Sequence, residues 1–163
     1  MSGARELHCY DYVNASYARV TEAIARDASA IIQRATASAA GRAGELGATL
    51  RVDIGPIEVG VDISVEVRSS REDVSVLGDR VTHIEIAWVA SRAAGWFPSL
   101  EGTLSLMPLG GQETQVDLHA RYRPPLGVVG QALDAALGWR VAEAALRRFV
   151  DDVSARLRSE LAT

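Results

Sequence analysis

Residues 124–161, PPLGVVGQALDAALGWRVAEAALRRFVDDVSARLRSEL, decide how this chain is read. Pro124 and Pro125 set an extended lead-in, because proline locks its own φ and drives the residue before it out of the helical region. After them Leu133, Leu137, Val141, Ala145, Phe149, Val153 and Leu157 recur at three- or four-residue intervals, the period of one helix face. Glu143 with Arg147, Arg148 with Asp152, and Asp152 with Arg156 stand four apart and form a solvated flank. The apolar side covers most of the circumference up to Leu137 and narrows beyond Ala142 to Ala145, Leu146, Phe149, Val150, Val153 and Leu157. Gly138 sits at the change. It marks either a kink or a close backbone approach, since glycine weakens a helix by about 1 kcal/mol against alanine.

Working back from this helix, residues 114–123 alternate Val116, Leu118, Ala120 and Tyr122 with Asp117, His119, Arg121 and Arg123. The turn at Gly110 and Gly111 precedes them, and before it Leu100, Gly102, Leu104 and Leu106 mark another strand. Residues 80–91 place Ile84, Ile86 and Trp88 on one face and His83, Glu85 and Ala87 on the other. Such alternation describes strands with one apolar and one wet face. Between them the segment SRAAGWFPS, with Gly95 and Pro98, breaks the pattern. Trp96 and Phe97 there either gate an interior or plug its end.

Further upstream, Ile57, Val59, Val61, Ile63, Val65 and Val67 alternate with polar residues. Leu50, Val52 and Ile54 do the same before Gly55-Pro56. Residues 69–73 read as a turn into a short strand at 74–77, and Gly78-Asp79 as a second turn. Near the start, RELHCYDYV (5–13) reads as a strand whose inward parity stays open. Leu7, Cys9, Asp11 and Val13 form one face; His8, Tyr10 and Tyr12 form the other. Asn14 offers a cap for a helix over ASYARVTEAIAR, Asp27 one for a second short helix at 28–40, and AGRAGELG reads as a loop. The expected fold is α+β: a curved antiparallel sheet of about seven strands wrapped around a long C-terminal helix, with two short helices between strands 1 and 2.

Composition narrows the function. At 163 residues, a hydrophobic fraction of 48% and a charged fraction of 23%, one globular domain over 1–163 is expected. A net charge of −4 gives no general drive toward nucleic acid. All 17 basic residues are arginine, so lysine Schiff-base chemistry is excluded. Cys9 is the single cysteine, which rules out an intrachain disulfide and a cysteine-based metal cluster. His8, His83 and His119 have no zinc-motif spacing, so no metal and no cofactor is expected. No signal peptide is read at the N-terminus, and no apolar run is long enough to span a bilayer. A cytoplasmic protein without integral membrane association is the expectation.

With the element order in place, the chain resembles the START-like helix-grip superfamily, in particular bacterial polyketide cyclase/dehydrase-like (SRPBCC) proteins. The resemblance covers nearly the whole chain. It rests on YVNASYARVTEAIA (12–25), WFPSLEGTLSLMPLGG (96–111), TQVDLHARYRPPLG (114–127) and the C-terminal helix. Ser16 stands where related sequences often carry proline, and Thr21 where an aromatic is common. The resemblance implies a hydrophobic small molecule, lipid-like or polycyclic, held between sheet and helix. It also implies a cyclase or aromatase as the enzymatic alternative, and fold alone does not choose between them.

The expected wall residues are Tyr10, Tyr12, Ile84, Ile86, Trp88, Trp96, Phe97, Leu104, Leu118 and Tyr122, with Leu133, Leu137, Val141 and Phe149 on the helix. Each has plain core packing as its competing role. Tyr122 and His8 are the acid–base candidates, Tyr122 because a buried phenol needs a hydrogen-bond partner and His8 only if its parity is inward. His83 and His119 share the wet parity of their strands and are expected in solvent. A homodimer through a sheet edge or Trp139 is the third possibility.

Overall fold

Five strands form one antiparallel sheet in the order β1-β5-β4-β3-β2 in the computed structural model, which describes residues 4–54, 63–90, 99–123 and 139–162. The strands are β1 (Arg5–Val13), β2 (Ile63–Val74), β3 (Arg80–Ala90), β4 (Ser99–Pro108) and β5 (Thr114–Arg123). Two helices, α1 (Tyr17–Ile54) and α2 (Trp139–Leu161), lie against one face of the sheet.

Strands β3, β4 and β5 take the bounds and the parity their alternation dictates. Cross-strand register stacks Ile84, Leu104, Leu118 and Cys9 in one row of the inner face. Ile86, Gly102, Ala120 and Leu7 form the next, and Trp88, Leu100 and Tyr122 the one after. Against these rows α2 buries Ala142, Ala145, Leu146, Phe149, Val150, Val153 and Leu157, the stripe the periodicity predicts. Arg148 and Asp152 stand 4.0 Å apart on its flank. At its far end the Arg158 guanidinium donates to Asp11 Oδ2 at 2.6 Å and through Nε to the Tyr12 carbonyl at 3.0 Å, fastening α2 to β1.

Several expectations need correction. Among the described residues there are five strands, not about seven. Residues 48–54, with Leu50, Val52 and Ile54, continue α1 instead of forming a strand, and the loop expected at 40–47 is helical too. Alternation over so few residues is a weak instruction, whereas a helix already under way gains a hydrogen bond with each added residue. The two expected helices are present as two segments of α1 divided by a kink, the second reaching Ile54 instead of ending near 40. The break is at Asp27 (φ −152°, ψ 47°), whose Oδ1 accepts from Ala30 N–H at 3.3 Å, as the expected second cap does. The first helical residue is Tyr17, so Ser16 and not Asn14 holds the cap position; its carbonyl accepts the Val20 N–H at 3.1 Å.

Residues 69–73 are not a turn. They belong to β2, which pairs with β3 as far as Val74 and takes up one extra residue between Val67 and Ser69. A bulge and a row of charges suit the strand at the edge of the sheet among the described residues. Arg68 reaches Glu101 at 3.1 Å, Arg71 reaches Asp73 at 3.0 Å, and Arg80 reaches Glu72 at 2.6 Å. The reversal lies at 75–79, where the turn expected at Gly78-Asp79 forms with Gly78 at φ +88°, and the short strand expected at 74–77 is absent because β2 ends at Val74. Residues 57–62, the segment around Trp96 and Phe97, and residues 124–138 with Leu133, Leu137 and Gly138 lie outside the described residues.

Candidate functional site

Of the expected wall residues, Ile84, Ile86, Trp88, Leu104, Leu118 and Tyr122 share the inner face of the sheet, and Phe149 meets them from α2. Trp88 stands edge-on to Phe149, ring centres 5.2 Å apart and planes at 88°. Its indole N–H donates to Thr36 Oγ1 of α1 at 3.1 Å, a buried bond. Tyr122 is fully buried. Val141 is half-buried near the start of α2. In the neighbouring row Gly102 and Ala120 pack closely against each other. A Cβ on Gly102 would come within 3.0 Å of the His119 carbonyl oxygen and 3.2 Å of Ala120 Cβ, so a side chain there would require its neighbours to give by a few tenths of an ångström.

The apolar inner face does not end under the helices. The row of Trp88 and Tyr122 runs through half-buried Leu100 and, across β3, to half-buried Val65; the neighbouring row ends on Val67, which is 41% exposed. Apolar surface therefore passes unbroken from the deep interior to the β2 edge. Sequence reading left Val65 and Val67 out of the wall, although their alternation carried the signal.

Three expected site residues are elsewhere. The pairing of Cys9 with Leu118 and of His8 with His119 settles the parity of β1: Leu7, Cys9 and Val13 point inward. Tyr10 and Tyr12 are 51% and 39% exposed on the outer face, and His8 accompanies them. They do not border the space between sheet and helix. His83 and His119 also lie on the outer face, as expected; His83 Nδ1 is 2.8 Å from Ser105 Oγ.

That outer face holds a cluster that the linear spacing hid. His8 Nε2 lies 2.6 Å from Asp117 Oδ1, and His119 Nε2 lies 3.2 Å from Asp117 Oδ2. The two imidazoles stack, with centroids 4.0 Å apart and planes at 15°. Gln115 Nε2 donates to Asp117 Oδ1 at 3.3 Å. Antiparallel register builds the group: His8 and His119 are directly opposed, and Asp117 is two residues along β5 on the same face. Nearby, a shallow depression of about 330 Å³ is lined by Glu6, Arg68, Glu85, Glu101, His119 and Arg121 among others.

Two groups have displaced proton affinities. Burial pushes the Cys9 thiol up to about 11. Burial also raises the Tyr17 phenol, partly offset by its 2.6 Å hydrogen bond with Thr82 Oγ1, while Glu72 adds to the rise. Neither supplies a nucleophile at neutral pH.

No protein-family model and no curated protein matches the chain. Solved structures do match. The crystal structure of TTHA0849 from Thermus thermophilus is 16% identical with a TM-score of 0.53, over 96% of this chain and 99% of that one. The Zhui aromatase/cyclase from Streptomyces sp. R1128 is 16% identical with a TM-score of 0.42, over 97% and 98% of the two chains. A START superfamily protein from Mycobacterium smegmatis is 15% identical with a TM-score of 0.43, over 99% and 100%. Such identities speak to fold alone, and the two lower scores carry no further argument. Among the described residues no helix is long and apolar enough to cross a membrane.

Proposed function

On a START-like helix-grip fold, we propose that this protein binds a hydrophobic small molecule between the inner face of its sheet and α2. The observation that supports this reading is the continuous apolar track from Trp88 and Tyr122, through Leu100 and Val65, to exposed Val67. Val65 and Leu100 are only partly buried and Val67 is exposed, so among the described residues the apolar track extends beyond the fully buried core. A ligand lying along that track meets the aromatic rings of Trp88 and Tyr122 at its deep end. Binding sites of this kind are mostly apolar with few polar groups. Tyr122 is the candidate side chain for contacting a polar end of the guest. A lipid-like or polycyclic compound has the right chemistry for such a surface.

The cyclase alternative is weaker by one residue. With His8 on the outer face, Tyr122 is the one of the two acid–base candidates that remains on the inner face. Catalysis by positioning plus one phenol is a narrower basis than binding.

Native mass spectrometry of protein purified from its own host, followed by organic extraction, tests the proposal. A discrete apolar compound should co-purify with wild-type protein and be lost from a Val67→Glu variant that stays folded. Empty wild-type protein that also fails to take up a fluorescent apolar probe would overturn it.

A further inference from the structure

We propose that His8, Asp117 and His119 form a binding site for a divalent transition-metal ion of the zinc class on the outer face of the sheet. The donors are two imidazole Nε2 atoms and one carboxylate, all lying within 4.8 Å of one another. Metal–ligand bonds of about 2.0–2.2 Å put tetrahedral donors about 3.3–3.6 Å apart on one ion, so rotations of the two imidazoles are needed to complete the set. Both rings are free to make them: the His8 and His119 side chains are 46% and 65% exposed, whereas that of Asp117 is 5% exposed. Two imidazoles and a carboxylate leave coordination positions open for water, and they suit zinc, iron or cobalt better than calcium or magnesium.

The charge arrangement points the same way. A buried carboxylate needs a compensating cation or a full set of donors. Arg121, the neighbouring guanidinium on β5, leans to Glu6 at 3.6 Å instead. Among the described residues the ionic partners of Asp117 are the two imidazoles. Stacked at 4.0 Å, the rings direct their Nε2 atoms at opposite oxygens of one carboxylate, so a single cation can take the place of the shared protons. Gln115 steadies the carboxylate by donating to its Oδ1, the role that an outer-shell hydrogen bond plays at metal centres. The ion would sit on the face opposite the proposed apolar site, and the inference is independent of it.

Untagged protein, stripped with chelator, is titrated with Zn²⁺ by calorimetry and with Co²⁺ by visible absorption. One equivalent should bind. His8→Ala, His119→Ala and Asp117→Asn should each weaken it by roughly a hundredfold or more, and Gln115→Ala by about tenfold. His83→Ala, on the same face but outside the cluster, should leave binding unchanged. Should Asp117→Asn not fold, the two exposed histidine variants carry the test. Absence of uptake by the wild type would reduce the cluster to a hydrogen-bonded triad and overturn the proposal. Undiminished binding in His119→Ala, or equal loss in His83→Ala, would also overturn it.

Discussion

Ser154 lies on the buried face of α2, fully out of solvent, and its Oγ has no hydrogen-bond partner among the described residues. An unsatisfied buried hydroxyl costs about 1–3 kcal/mol, and alanine removes it with little loss of packing. Ser154→Ala should therefore raise stability by about 1 kcal/mol in urea denaturation; a loss of that size would mean that the hydroxyl is bonded. Cys9 gives a pH-dependent counterpart. Burial, opposed by Arg147 and reinforced by Asp117, lifts its thiol from 9.0 to about 11. Between these values the unfolded chain has lost a proton that the folded chain keeps, so stability falls as pH rises, by up to about 1.4 kcal/mol per pH unit. The advantage of wild type over Cys9→Ala should shrink by about 1 kcal/mol between pH 8 and pH 10, and a constant difference would contradict the assignment. At this scale the sequence was only half legible. Asp117 has the parity of a solvent-facing residue, and nothing within β5 reveals that His8, more than a hundred residues away, covers it.

The elements divide by how many faces they bury. Strands β3 to β5 were readable because each has one face under the helices, and a one-residue slip would turn Ile84, Leu104 or Leu118 into water. The edge strand β2 was misread because its polar run at 69–73 sits where no helix demands alternation, and that run looks like a turn in isolation. In β1 both parities carry apolar or aromatic side chains, so register with β5 decided the face. In α1 the cap at Asp27 was legible from an acid before a helix-forming run, while the reach to Ile54 was not. That cap holds a kink between two helical segments, and losing its bond to Ala30 N–H exposes a helix end. Asp27→Ala should cost about 1 kcal/mol, and Asp27→Asn appreciably less, in thermal or urea unfolding. Equal effects of the two would show that the charge, and not the hydrogen bond, stabilises the kink.

Across the whole molecule, Trp88 is where the sheet meets both helices. It comes from β3, donates to Thr36 of α1 and stands edge-on to Phe149 of α2. If the node holds the three elements together, its parts must be energetically coupled. Thr36→Val keeps the volume but leaves the indole N–H without an acceptor, at a cost of about 1–3 kcal/mol. Trp88→Phe removes the donor, so Thr36→Val should cost clearly less in that background, with a coupling energy on the order of 1 kcal/mol in a double-mutant cycle. Phe149→Ala, which opens the centre of the core, should cost about 3–5 kcal/mol and lower the unfolding midpoint the most. Additive costs for Thr36 and Trp88 would mean that α1 is held by apolar contact alone and that the hydrogen bond only fixes the indole's orientation. That distinction matters for the proposed apolar site. A Trp88 ring fixed by Thr36 presents a preformed wall, whereas one held by contact alone is free to turn as a guest enters, and the fluorescence of Thr36→Val on ligand addition separates the two.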